Sequence, residues 1–197
     1  MNNPVLSILD QTELMQLALE ADRNNDSGSA LAYLKEAGGR PDASAPVLLL
    51  LGAHYASLQL HERAIQALEM ALVADPQLAI ARFQLGMLYL STGNGARAAE
   101  TMQPLEDLDH DNALHHFGRG LRSLVKDELS AALEHLQRGI TLNKDNPALN
   151  ADMQHIIDEI NKAPAGQTPA AAAPAPADSG DSQHVMLSAY TGLNVRH

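Results

Sequence analysis

His110, His115 and His116 lie within a short stretch and are the residues whose type most readily suggests chemistry, because neutral imidazoles ligate transition metals. Their spacing argues the other way. Adjacent residues on a helix diverge by about 100°, so His115 and His116 point apart, and no carboxylate completes a recognised ligand pattern. A solvated or helix-capping role is expected, and no metal. His54, His61, His135 and His155 are scattered along the chain. Glu106 with Asp107, and Asp109 with Asp111, are acid pairs, but paired-carboxylate chemistry needs a cleft, and here the pattern reads as a solvated run. The chain has no cysteine, which removes disulfides, thiol catalysis and Cys-ligated zinc together. No G-x-S-x-G, phosphate loop or G-x-G-x-x-G occurs. Nothing nominates a nucleophile, so neither an enzyme nor a cofactor is expected.

The elements that would position any site announce themselves through small residues. Ala18, Gly52, Gly86 and Gly120 recur every 34 positions, and Ala30, Ala64, Ala98 and Ala132 keep the same step at an offset of 12. Two helices approach closely only where a side chain is tiny, so two small-residue series at one period are what stacked helix pairs require. Composition agrees: 45% apolar residues with only 3% aromatic suits a Leu/Ala core built from helices. Turn chemistry falls between the periodic stretches, at Asn24–Gly28, at Asp75–Pro76 and at Ser91–Gly95, while the fourth turn, near Lys126 and Asp127, lacks a glycine.

These residues resemble the tetratricopeptide repeat, whose pattern places small residues at phases 8, 20 and 27, an aromatic at 11 and proline at 32. Counted from Ala45, the second repeat supplies Gly52, Tyr55, Ala64, Leu68, Ala71 and Pro76. The third, from Ala79, has Gly86, Tyr89, Ala98 and Met102, with Leu105 and His110 where a small residue and proline are usual. The fourth, from Ala113, keeps Gly120, Ala132, Leu136 and Gly139, with Ser123 for the aromatic, Lys144 for the proline and Pro147 three residues late. The first, from Gln11, has Ala18, Ala30, Leu34 and Ala37, with Ala21 and Asp42 at the aromatic and proline phases. The resemblance implies an all-α fold, a right-handed superhelix of about four helix-turn-helix units. Repeats are expected over about 11–44, 45–78, 79–112 and 113–146. A capping helix over 147–162 completes a domain at 1–162, because Leu149, Met153, Ile156, Ile157 and Ile160 recur at helical spacing.

Residues 163–183 are Pro, Ala and small polar residues, read as a linker. Large apolar side chains return in the peptide 184–197, where Val185, Met186, Leu187, Tyr190 and Leu193 make a candidate docking tail. The competing reading of that peptide is a frayed terminus.

In the resembled family, ligands lie along the first helix of each repeat, at phases 2, 5, 9 and 12. Phase 5 holds Met15, Leu49, Phe83 and Phe117, so both phenylalanines of the chain fall on one column. Phase 9 holds Leu19, Ala53, Met87 and Leu121; phase 12 holds Asp22, Ala56, Leu90 and Leu124; phase 2 holds Thr12, Pro46, Ile80 and Leu114. The resemblance therefore places an apolar peptide-binding groove on Leu49, Ala53, Ile80, Phe83, Met87, Leu90, Phe117, Leu121 and Leu124. The Lys, Arg and Asn with which some members clamp a terminal carboxylate are missing from these phases. In the competing reading, phases 5 and 9 pack on neighbouring helices or bury a dimer contact.

The expected function is a protein–protein interaction adaptor or chaperone-like module, similar to small bacterial chaperones that hold secretion-system substrates. Its partner would be a protein or peptide with apolar anchors, and its own tail could plug the groove. The alternative is a structural assembly factor, a homo-oligomer joined through the apolar face and tail. A formal charge of −11 disfavours nucleic acid and anionic membrane surfaces. No run of about 18 apolar residues is present, and the start MNNPVLSILD lacks the basic and apolar regions of an export signal, so no membrane insertion and a cytoplasmic location are expected.

Overall fold

The computed structural model describes residues 6–162; the linker at 163–183 and the docking tail with Val185, Met186, Leu187, Tyr190 and Leu193 lie outside the described residues. A 3-10 turn at Leu6–Ile8 precedes α1 (Gln11–Arg23), α2 (Ser27–Gly38), α3 (Ala45–Ser57), α4 (His61–Ala74), α5 (Ala79–Ser91), α6 (Gly95–Met102), α7 (Ala113–Val125), α8 (Leu129–Leu142) and α9 (Pro147–Lys162). A second 3-10 segment, Gln103–Asp107, continues α6. Among the described residues the fold is all-α, and the helices pair as α1/α2, α3/α4, α5/α6 and α7/α8 at the 34-residue step seen in the sequence.

The turns between paired helices are copies of one device. Asn25, Gln59, Gly93 and Asp127, each at phase 15, adopt positive φ of 57°, 58°, 78° and 62°. The next residue sends its amide back five positions: Asp26 to Ala21 at 2.8 Å, Leu60 to Tyr55 at 2.8 Å, Asn94 to Tyr89 at 2.7 Å and Glu128 to Ser123 at 2.9 Å. A second bond spans three positions, from Asn25 to Asp22, Gln59 to Ala56, Gly93 to Leu90 and Asp127 to Leu124. This is the Schellman pattern, which satisfies the last carbonyls of the first helix and needs one left-handed residue. Only Gly93 occupies that conformation without a Cβ penalty. The first and fourth repeats, whose aromatic and proline phases are irregular, carry the device as fully as the second and third.

Small residues then let the paired helices close. A Cβ added at Gly52 would sit 2.7 Å from Leu68 Cγ, at Gly86 2.5 Å from Met102 Cε, and at Gly120 2.8 Å from Leu136 Cγ. Phase 8 therefore receives the phase-24 side chain in each of these three hairpins. Tyr55 and Tyr89 sit below Arg63 and Arg97, whose guanidinium carbons lie 5.8 and 5.0 Å from the ring centroids. A cation over a ring face is favourable electrostatically.

The chain divides into two compact units, Met1–Ala81 and Arg82–His197. In the first, Leu14, Ala37 and Val47 form a buried cluster against which Leu6, Leu9, Met15 and Tyr33 pack. The α1 entry carries a capping box, in which Asp10 accepts from the Glu13 amide and the Glu13 carboxylate accepts from the Asp10 amide, both at 2.8 Å. Gln11 staples the connection to the second repeat, donating to the Asp42 carbonyl at 2.8 Å and accepting from the Ser44 amide at 2.9 Å.

In the second unit, α6 ends at Met102 and tightens into 3-10 form at Gln103, one residue before Pro104. Proline lacks the amide that an α-helix interior needs and clashes with the preceding turn. Leu105, standing where the repeat pattern has a small residue, is buried, and its bulk is received by Gly118 of α7, whose added Cβ would meet Leu105 at 3.0 Å. At the end of the described chain, α9 buries Leu149, Met153, Ile156, Ile157 and Ile160. The α8–α9 turn is tied by amides: Asn143 donates to Asn150 Oδ1 at 2.8 Å, and Asn150 donates to the Asn143 carbonyl at 2.9 Å.

The strained turn generates a prediction. Gln59→Gly should stabilise the protein by about 0.5–1 kcal/mol, read as a higher urea midpoint at unchanged slope, because relief at φ 58° outweighs the unfolded-state entropy of glycine. An unchanged or lower midpoint would show that the left-handed turn carries no strain.

Candidate functional site

The inner-column residues separate into a buried set and a half-exposed set. In the first unit Leu49, Ala53 and Ile80 are all buried. Asp22, at phase 12, and His54, from the following repeat, are joined there by a hydrogen bond, His54 Nε2 to Asp22 Oδ2 at 2.9 Å, with His54 only 4% exposed. Sequence reading left His54 among scattered surface histidines; the carboxylate at an inner phase one repeat earlier was the signal for its partner.

In the second unit the structure brings Phe83 and Phe117 together, ring centroids 6.1 Å apart and planes tilted by 41°. They do not line an open hollow. Phe83 is 2% exposed and Phe117 0%. An added Cβ at Gly139 would lie 2.4 Å from the Phe117 ring, so α8 provides a glycine where α7 provides a phenyl group. The expectation that the two rings would receive a partner is corrected here: both are buried, and the Phe117 ring packs into the space that Gly139 leaves between the paired helices α7 and α8. Leu121, one turn beyond Phe117, is likewise 0% exposed. Met87 and Leu90 on α5 and Leu124 on α7 remain half-exposed. These continue, at i+4 and i+7, the faces that carry Phe83 and Phe117, so they form the accessible end of an apolar strip whose base is sealed.

The histidines depart most from expectation. His115 and His116 are buried, and each has found a different partner, as their divergence on the helix allows. His110 Nδ1 lies 3.2 Å from His115 Nε2, and His116 Nδ1 lies 3.3 Å from His135 Nδ1. His116 Nε2 donates to the His110 carbonyl at 2.8 Å. The His115 and His116 rings meet edge to face at 5.0 Å, and those of His116 and His135 stack at 5.5 Å. Burial, followed by the neighbouring His116, His110 and Arg119, holds His115 below the ordinary imidazole value. Burial, then Arg119 and His116, does the same for His135. Among the described residues no three His, Asp or Glu side chains converge as a metal-binding group. Of the acids in the neighbouring run, Glu106 pairs with Arg122.

With this geometry established, comparison with known proteins identifies the class. Residues 15–79 match the family model described as tetratricopeptide repeat. A solved structure described as "MamA RS-1 ArsTM double mutant" aligns over 94% of this chain and 97% of that one, with a TM-score of 0.59 at 14% identity, a likeness that carries the fold. No curated protein sequence matches the chain. Residues 15–79 thus carry tetratricopeptide repeats, and repeats of this kind support a protein–protein interaction module. Among the described residues no helix is long and apolar enough to cross a membrane.

Burial of the phenyl pair has a measurable consequence. Phe117→Ala should cost about 3–5 kcal/mol of stability, seen as a large fall in the urea midpoint. A cost below about 1 kcal/mol would return the ring to the surface.

Proposed function

We propose that this protein holds an apolar segment of a partner protein against Met87, Leu90 and Leu124, acting as an adaptor or chaperone-like module. The observation that carries the reading is the partial exposure of these three side chains on a strip whose remaining members are sealed. Methionine suits a surface that receives varied shapes, because its thioether is flexible and polarisable. Two or three anchors burying about 1.5–3 kcal/mol each, less the ordering of the captured segment, leave affinity on the order of micromolar. The apolar peptide 184–197 of this chain is a candidate occupant of the same strip, as a plug that a partner displaces. In this reading the acidic chain works away from nucleic acid and anionic membrane, in the cytoplasm.

A second reading, self-assembly, is favoured by a different surface. Met70 and Val73 stand on one face of α4, 51% and 82% exposed. Apolar side chains this open are the contacts a homo-oligomer would bury.

The full-length protein and its Met87→Asp/Leu124→Asp variant should be titrated with a panel of labelled apolar peptides, 184–197 included, and followed by anisotropy. Micromolar binding that falls at least tenfold in the variant supports the strip. Equal binding by both proteins rejects it. A wild-type mass by light scattering that is a multiple of the monomer, reduced by Val73→Glu, supports assembly through α4.

A further inference from the structure

The imidazoles at the junction of the second 3-10 segment, α7 and α8 are not members of the apolar strip, and their geometry sets a limit on how many protons they hold. A backbone carbonyl only accepts, so His116 Nε2 must carry hydrogen to reach the His110 carbonyl at 2.8 Å. Neutral His116 therefore presents an Nδ1 lone pair, and His135, 3.3 Å away, must present Nδ1–H. One hydrogen occupies that gap. A first extra proton is accommodated by sharing, with the displaced hydrogen moving to His135 Nε2. A second places two N–H groups head to head. The same count applies between His110 Nδ1 and His115 Nε2 at 3.2 Å.

We propose that His110, His115, His116 and His135 form an acid-sensitive latch that joins the connection before α7 to α7 and α8 when the imidazoles are neutral, and releases them as protons are taken up. Each pair tolerates one extra proton, so four imidazoles that take up four must part. The surroundings add to the repulsion more than they relieve it. Arg119 of α7 acts on both His115 and His135 with like sign, whereas Glu134 of α8 is the one acid that opposes it at His135. Of the other charged groups, Glu106 of the 3-10 segment pairs with Arg122 and Arg97 of α6 lies over Tyr89, while Glu100 of α6, Asp107, Asp109 and Asp111 before α7, and Arg138 of α8 are exposed. On α9, His155 acts on Asp152, whose carboxyl is raised by burial.

The direction of the pH response follows. His115 and His135 sit below their ordinary value when folded, so the unfolded chain binds more protons between the depressed values and about 6.5. Their contribution is complete above about pH 6.5, declines as pH falls, and levels out below the depressed values. The upper edge of that window, about 6.5, lies above the ordinary range of aspartate and glutamate.

Thermal unfolding of the full chain followed by circular dichroism from pH 7.5 to 5.0 tests the latch, with chelator present. The wild-type midpoint should fall by about 5 °C or more, and His116→Gln/His135→Gln should show less than half that fall. Parallel curves for the two proteins would overturn the proposal. Should the double variant not fold, His135→Gln alone makes the same comparison, because that side chain is half-exposed. Proton NMR of the imidazole Cε1–H resonances supplies an independent readout: His115 and His135 should titrate below the ordinary imidazole range, and simple titration of both near about 6.5 would overturn the latch. Added zinc at pH 7.5 should leave the wild-type midpoint unchanged. A rise abolished in the double variant would make the pairs metal ligands instead.

Discussion

The close approach of two helices at phases 8 and 24 is the contact on which the rest of this protein depends. Gly52 under Leu68, Gly86 under Met102 and Gly120 under Leu136 each set the spacing of a hairpin to the length of one side chain. Once that spacing is fixed, everything else on the first helix has a defined depth. Phase 5 falls inside, where Leu49, Phe83 and Phe117 are buried, and phase 12 falls at the margin, where Leu90 and Leu124 keep part of their surface. Apolar burial supplies the driving force, but the missing Cβ decides where it acts.

The repeat was legible because packing at a small residue leaves a mark that survives in a linear string. Glycine and alanine at a constant step required helix pairs, and the pairs are there. The irregular phases were harder. Leu105 in place of a small residue gave no hint that Gly118, thirteen positions later, would make room for it, and Pro104 shortened α6 where the period alone implied a full helix. The left-handed turn at Asp127 was obscured by the absence of glycine, although aspartate tolerates that conformation better than most residues.

In the candidate column the sequence shows which residues share a phase and hides how deep each one lies. Periodicity assigns Phe83 and Phe117 to the same faces as Met87 and Leu124, but which members of a column face solvent depends on the opposite helix. Gly139 decides that for Phe117, and it belongs to a different periodic series. The histidines illustrate the same limit. His115 and His116 diverge on one helix, and that divergence lets each ring find a separate partner, His110 in the connection and His135 on α8.

The fit of Phe117 into the space left by Gly139 ties the sizes of two residues 22 positions apart into a single quantity. Drift at either position is constrained by the other, since a methyl gained on α8 demands a smaller group on α7. Such a pair should change in concert or stay fixed through descent, whereas Met87 and Leu124, which keep part of their surface open, are held less tightly by their size.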